Sequence, residues 1–260
     1  MFALVALAVA LFVPLVCGSC IDRDSLRTHE LFACLEREVP AQERFRFVQI
    51  GANDGVMMDP LHDVMKTSAI RNRKWVGVFV EPLPVMMRKL KENKLSVLGP
   101  DRIGYVSAVI NATCPPGGIV PFFKYVRSAN EPVWNQGLGS LSIPLGRDPR
   151  RFKRVPVACK TPRELAESVI SNGAADPHIL LIDTEGFDIE ILLAIAASKW
   201  PFGRPTVIAF EVWEGKGKLR PDAIADMYKM FATEGFRVRK SAPGSEDYLA
   251  FNCPFRNRID

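Results

Sequence analysis

Four short segments carry residue types on which chemistry can be built: Gly51-Ala52-Asn53-Asp54-Gly55, Glu81-Pro82, Asp183-Thr184-Glu185-Gly186, and Glu211. Glycines in a turn let backbone N–H groups come close to a ligand. A carboxylate offers two acceptor oxygens, which is what a pair of adjacent hydroxyls requires. A carboxylate can also take a proton from a hydroxyl held beside it. Each acid alone is equally what a helix cap or a surface charge looks like. Their placement says more, because each segment follows an apolar run: Phe45 to Ile50, Trp75 to Val80, His178 to Ile182, and Thr206 to Phe210. Short apolar, β-rich runs fit strands buried on both faces of a parallel sheet. In open α/β sheets the ligand sits beyond the carboxyl ends of the strands, so the four segments should converge on one site. A glycine turn after one strand, with an acid ending the next, is how nucleotide-type folds hold a ribose diol.

The elements between these runs must position them. Residues 20–44 read as a helical lead-in, with Leu31, Cys34 and Leu35 at helical spacing and Pro40 ending the pattern. After the glycine turn, Asp59 to Ile70 predicts a helix with Pro60 in its first turn and Leu61, Val64 and Met65 on its apolar face. Pro84 to Asn93 predicts another, with Met86 and Met87 as packing residues. His29 and His62 read as surface or packing residues, since a single histidine without partners is a weak ligand signal. Arg102 to Ile110 predicts a third strand. Residues 111–160 then break the alternation, holding Pro115-Pro116-Gly117-Gly118, a strand-like Val120 to Val126, and a glycine-rich stretch from Trp134 to Leu141. That is too long for a plain connection and reads as an insertion covering the ligand side. Thr161-Pro162-Arg163-Glu164 is a capping box opening a helix that Gly173 ends. Further helices are predicted around Ile189 to Ala196 and from Pro221 to Gly235. Phe236 to Lys240 and Asp247 to Asn252 predict a closing hairpin around Pro243-Gly244. Alternating strands and helices with this ending predict a three-layer, Rossmann-like α/β sheet, mostly parallel, with one antiparallel strand near the end. Residues 45–260 form one domain.

The 260 residues suffice for one sizeable core, and 48% hydrophobic with 24% charged residues is ordinary for a globular chain. A net charge of +5 is mild and argues against a nucleic-acid partner. The densest basic run, Arg147, Arg150, Arg151, Lys153 and Arg154, reads as a solvated loop; the sharper reading is a docking patch for an acidic substrate or a membrane surface. Phe2 to Val16 is apolar, and Gly18-Ser19 suits signal-peptidase cleavage, so residues 1–19 read as a signal peptide. No Lys or Arg precedes Arg23, and a retained membrane anchor is the alternative. The expected location is the secretory lumen or outside the cell, with membrane contact only if the N-terminal segment is retained. Cleavage would leave five of the six cysteines, an odd count, and their pairing does not follow from sequence. Asn111-Ala112-Thr113 is a glycosylation sequon in that setting.

The turn GANDG is not the GxGxxG of dinucleotide sites, and GxxxxGK[ST] is absent. A turn holding an amino-acid end and a ribose without a pyrophosphate points to S-adenosylmethionine. FVQIGANDG, VGVFVEP, NQGLGS, ILLIDTEGFDIEIL and PTVIAFE, over Phe45 to Trp213, resemble the FkbM family of S-adenosylmethionine-dependent methyltransferases. The resemblance implies the class I methyltransferase fold, whose reversed last strand matches the hairpin. It also implies O-methylation of a hydroxyl on a glycan or small metabolite. It places Gly51, Ala52, Asn53, Asp54 and Gly55 on the methionine part of the cofactor, Glu81 with Pro82 at the ribose, Ser107 and Ala108 along the adenine, and Asp183 and Glu185 at the transferred methyl and acceptor as catalytic candidates. Leu181 departs from the Lys or Gln often found two residues before the Asp of the family's IDxEG motif. No metal is expected; Asp183 with Glu211 is the pair that would hold one. The competing reading is a methyltransferase-like binding or trafficking module of the secretory pathway that does no catalysis.

Overall fold

A computed structural model describes residues 20, 26–70, 73–98, 103–132, 135, 138–143, 147–212 and 222–252. Helix α1 (Thr28–Glu38) precedes strand β1 (Phe45–Ile50). Then follow α2 (Pro60–Ile70), β2 (Trp75–Val80), α3 (Pro84–Leu98) and β3 (Ile103–Val106). The insertion supplies β4 (Val109–Ile110), β5 (Ile119–Tyr125), β6 (Gly139–Ser140) and β7 (Phe152–Lys160). The chain continues with α4 (Pro162–Ser171), β8 (Ile179–Ile182), α5 (Asp188–Ala197), β9 (Val207–Glu211), α6 (Ala223–Thr233), β10 (Arg237–Lys240) and β11 (Asp247–Phe251).

The main sheet has the order β10-β11-β9-β8-β1-β2-β3. β1 pairs in parallel with both β2 and β8, and β8 with β9. β11 runs antiparallel to both its neighbours, as the predicted hairpin requires. Period-2 alternation sends Val48 and Ile50 of β1 to one face and Phe45 and Phe47 to the other. The first face packs on Leu165 and Val169 of α4, Ile189 and Leu192 of α5, and Met227 and Phe231 of α6. The second packs on Leu31 and Leu35 of α1, Leu61 and Met65 of α2, and Leu90 of α3. This is the three-layer α/β architecture expected from sequence. The capping box of α4 is formed, with Thr161 Oγ1 accepting from Glu164 N and Glu164 Oε2 accepting from Thr161 N.

Two expectations change. The run from Arg102 to Ile110 is two strands: the chain breaks at Ser107-Ala108, and β4 leaves the main sheet to pair with β7. The insertion contains the strand expected at Val120 to Val126, as β5, and forms a second sheet of order β4-β7-β5-β6. Its ends are tied by the Cys114–Cys159 disulfide. The basic run read as loop is a single 3-10 turn at Pro149–Arg151, followed by Lys153 and Arg154 in β7, where they are exposed. Cys20 pairs with Cys34 on α1, so the four described cysteines are all paired. The signal-peptide reading of residues 1–19, Pro221, Cys17 and Cys253 lie outside the described residues. Among the described residues no helix is long and apolar enough to cross a membrane.

Candidate functional site

Register brings the four chemical segments to one level. Ile50 is opposite both Val80 and Ile182, and Ile182 is opposite Phe210. Gly51, Glu81, Asp183 and Glu211 therefore stand side by side, each one residue beyond a paired position. Gly51 N and Ala52 N both donate to Val80 O, at 2.9 and 3.0 Å, and the chain turns away. A Cβ on Gly51 would stand 1.7 Å from the Asp183 carbonyl oxygen, so only glycine lets the two strand ends approach this closely. Asn53 adopts the left-handed conformation at φ 50°, which asparagine tolerates better than most residues. Asp54 Oδ1 accepts from Val56 N and Met57 N, both at 3.0 Å, and so closes the turn.

Glu81 is buried, and its two oxygens are separately engaged: Oε2 accepts from Asn53 N at 3.0 Å and Oε1 from Leu83 N at 2.8 Å. Burial pushes its carboxyl up to about 7, against the opposing effect of those two N–H bonds. Each oxygen keeps lone-pair capacity facing the cleft.

Across the cleft, β8 ends in Asp183 and a turn with Glu185 at φ 58° and Gly186 at φ 97°. A left-handed glutamate stores strain, a feature that clusters at ligand sites. The turn is held by Asp188, which is fully enclosed. Its Oδ1 accepts from Thr184 N at 2.8 Å and Thr184 Oγ1 at 2.6 Å, and its Oδ2 from Glu211 N at 2.9 Å. One carboxylate thus joins the ends of β8 and β9 to the first turn of α5. Burial raises the Asp188 carboxyl to about 7 despite these donors. Asp183 is itself open to solvent through the cleft mouth, yet protein crowds it on the other sides. That enclosure, with the carboxylates of Asp188, Glu211, Asp247 and Asp59 behind it, holds its carboxyl well above the usual aspartate range.

These ends open on a cleft of about 630 Å³. Gly51, Asn53, Glu81, Pro82, Ala108, Asp183 and Glu185 all line it. Ala52 is buried behind the turn, while Asp54 and Gly55 build the turn without lining the cleft. Ser107 is exposed and outside the lining, because the break between β3 and β4 turns it away while Ala108 stays inside. Glu211 contributes its backbone N–H to Asp188 and does not line the cleft. Leu181 packs in the core with Phe47 and Ala209. Among the described residues, the one tight group of three possible metal ligands is the disulfide pair Cys20 and Cys34 with Glu38, far in character from a metal centre.

Sequence reasoning missed Asp188 and the opposite wall, where Phe122 and Gly139 of the second sheet and Leu141 just after β6 close the cleft. Ser140 Oγ donates to Glu185 O at 3.4 Å and ties that wall to the β8 turn. A signal for Asp188 exists: an aspartate in the first turn of the helix after the acidic strand end is placed to accept from the turn's N–H groups.

The family model for the methyltransferase FkbM domain matches residues 49–238. A search of curated proteins gives no significant match. Similar solved structures include the METTL16 methyltransferase domain, at 8% identity and TM-score 0.44, covering 86% of this chain and 67% of that one. An O-methyltransferase from Bacillus cereus in complex with SAH matches at 11% identity and TM-score 0.40, covering 78% and 71%. The CMeT domain of the citrinin polyketide synthase matches at 10% identity and TM-score 0.47, covering 87% and 52%. With the family model matched over most of its length and its strand ends arranged as above, the chain belongs to the FkbM methyltransferase domain family and has the class I S-adenosylmethionine-dependent methyltransferase fold.

Proposed function

We propose that the chain transfers a methyl group from S-adenosylmethionine to a hydroxyl oxygen of a glycan or small metabolite, in the secretory lumen or outside the cell. The observation that carries this reading is the single cleft with Glu81 on one side and Asp183 and Glu185 on the other. The residues fit the cofactor. Glu81 has one backbone donor per oxygen, which leaves acceptor capacity for two ribose hydroxyls. The Gly51 turn, closed against Asp183 O, leaves no side chain where the methionine end would lie. Ala108 and Val109 offer apolar surface for a flat base. When bound, the cofactor supplies an electrophilic methyl carbon.

The chain's own part is to orient and to move a proton. Asp183 faces the cleft at the level of the glycine turn, and in its ionised form it takes up a proton more readily than a free aspartate does. It takes the acceptor's hydroxyl proton, with Glu185 beside it fixing the acceptor. The oxygen keeps the electron pair of the broken O–H bond and aims it at the methyl position; the O–C bond would form there as the S–C bond of the sulfonium breaks and S-adenosylhomocysteine leaves, so the chain's main task is alignment. The disulfides Cys20–Cys34 and Cys114–Cys159 support an oxidising compartment, as does the partly exposed sequon residue Asn111. Digestion of cell-derived protein with an endoglycosidase tests that location: no mobility shift on loss of Asn111 counts against it.

Calorimetry with S-adenosylmethionine and S-adenosylhomocysteine tests the function, and binding below millimolar is expected. No binding of either would overturn the enzyme and leave a methyltransferase-like module that does no catalysis. In a labelled-methyl screen with glycans and small hydroxylated metabolites, Asp183→Asn should cut turnover by about 10²-fold or more. It should leave S-adenosylhomocysteine affinity within a few-fold.

A further inference from the structure

The positive charge of the chain is concentrated in the wall that closes the cleft. Residues 111–160 hold eight basic and two acidic residues, while the whole chain carries +5, so the rest is close to neutral. Both acids of the insertion are engaged. Glu131 accepts from Tyr125 Oη at 2.8 Å, Arg151 Nη2 at 2.7 Å and Ser128 N at 2.8 Å. Asp148 is paired with Arg150 at 2.9 Å.

Register then sorts the remaining cations by face. In the β5–β7 pairing, Val120 is opposite Val157, Phe122 opposite Val155, and Lys124 opposite Lys153. Side chains two residues apart on a strand share a face. That face is the inner one: Val120, Phe122, Val155 and Val157 pack together on Leu83, Met86 and Val109. Phe122 lines the cleft, as does Gly139, which is opposite Lys124 on the other side of β5. A Cβ on Gly139 would stand 2.3 Å from the Phe122 ring, so this position is kept bare and the ring lies across it. Lys124 and Lys153 thus end the two rows whose inner members form the acceptor wall, about 7 Å along the strand from Phe122 and its partner. Like charges directly opposite each other destabilise a sheet. Among the described residues neither lysine has an ion-pair partner that would relieve this.

We infer that Lys124 and Lys153 form a subsite for an anionic group on the acceptor, so that the substrate is an acidic saccharide bearing a carboxylate or sulfate a sugar unit away from the methylated hydroxyl. This rests on the methyl-transfer reading of the cleft and narrows its substrate class. A phosphorylated or sulfated lipid surface would meet the same charge. The inner-face location favours a small anion reaching into the cleft mouth over a flat membrane, which would meet the outward Arg150 and Arg154 instead.

The test is calorimetry on the full chain, saturated with S-adenosylhomocysteine, at about 50 and 150 mM salt. The probes are a uronate disaccharide, a sulfated disaccharide, a neutral disaccharide, and vesicles containing one-fifth phosphatidylserine. The expected result is that one or both anionic disaccharides bind at least tenfold tighter than the neutral one. Lys124→Gln with Lys153→Gln should abolish that preference, Lys124→Arg with Lys153→Arg should retain it, and Arg150→Gln should leave it unchanged. Equal binding of charged and neutral sugars, an equal loss in Arg150→Gln, or binding to vesicles alone would overturn the inference. Failure of S-adenosylhomocysteine itself to bind would strike the methyl-transfer reading instead, and the sugar preference would still be read on the ligand-free chain.

Discussion

Glu81 and Asp188 are buried acids held by donated N–H bonds, and burial outweighs those bonds and brings both carboxyls up to about 7. The folded Glu81 value of about 7 lies above the ordinary 4.5, so between those values the folded chain holds a proton that the unfolded chain has released. Stability from that proton is complete below about 4.5 and is lost as pH rises through 7. In the proposed role of Glu81 as acceptor for the ribose hydroxyls the ionised form is the one that binds, so cofactor binding would run the opposite way. S-adenosylhomocysteine affinity should fall about tenfold per pH unit below 7 and level off above it, as calorimetry from pH 5.5 to 8.5 would show. Glu81→Gln puts an NH₂ group against a backbone N–H and loses a charged acceptor. It should bind about 10- to 100-fold more weakly, with a flat pH profile. A pH-dependent variant would point to another titrating group.

The glycine turn is braced from behind by two helices. Lys94 of α3 is fully enclosed, and its Nζ lies 2.8 Å from Asp59 Oδ2 just ahead of α2 and 5.2 Å from the centre of the Phe79 ring. Asp59 Oδ1 also accepts from Leu61 N at 2.9 Å, at the start of α2. Asn93 Nδ2 donates to Asp54 O at 2.8 Å, and a Cβ on Gly55 would meet the Leu90 and Lys94 side chains. The turn therefore cannot shift without disturbing α3. Lys94→Met keeps the volume but strands a buried carboxylate, at a cost of about 3–5 kcal/mol in urea denaturation. Adding Asp59→Asn should recover much of that loss, a coupling a double-mutant cycle reads directly. In the stable double variant the S-adenosylhomocysteine Kd should still rise, because the brace is gone.

At the scale of the molecule, a seven-stranded sheet supplies the strand ends and a separate four-stranded sheet supplies the facing wall. The wall is anchored by β4 beside β7, by Ser140 Oγ on Glu185 O, and by Cys114–Cys159, which closes a loop of separation 45. The loop-closure model assigns such a bridge about 4 kcal/mol, much of it from restricting the unfolded chain. Cys114→Ser with Cys159→Ser should lower stability by about 2–4 kcal/mol and weaken acceptor binding more than cofactor binding, since Glu81 and the glycine turn lie outside the loop. Equal weakening of both would show that the wall also holds the cofactor side.

The sequence by itself determined the site level: apolar runs ending in Gly51, Glu81, Asp183 and Glu211 are local patterns, and once such strands pair in parallel their ends must align. It also determined the closing hairpin and the capping box of α4, where turn residues and the cap are adjacent in the chain. Tertiary structure alone decided where residues 103–160 go. β4 and β7 pair across 50 residues, a contact without local signature, and that pairing turns Ser107 outward and Ala108 inward. Lys94 was likewise silent, because a buried charge is recognisable only by its partner, and Asp59 comes from elsewhere in the chain; Asp188 showed only its first-turn position, and its bond to Glu211 N is equally non-local. The pairing of Lys124 with Lys153 belongs to the same class: two unremarkable basic residues gain meaning from the register that sets them opposite each other beside the cleft.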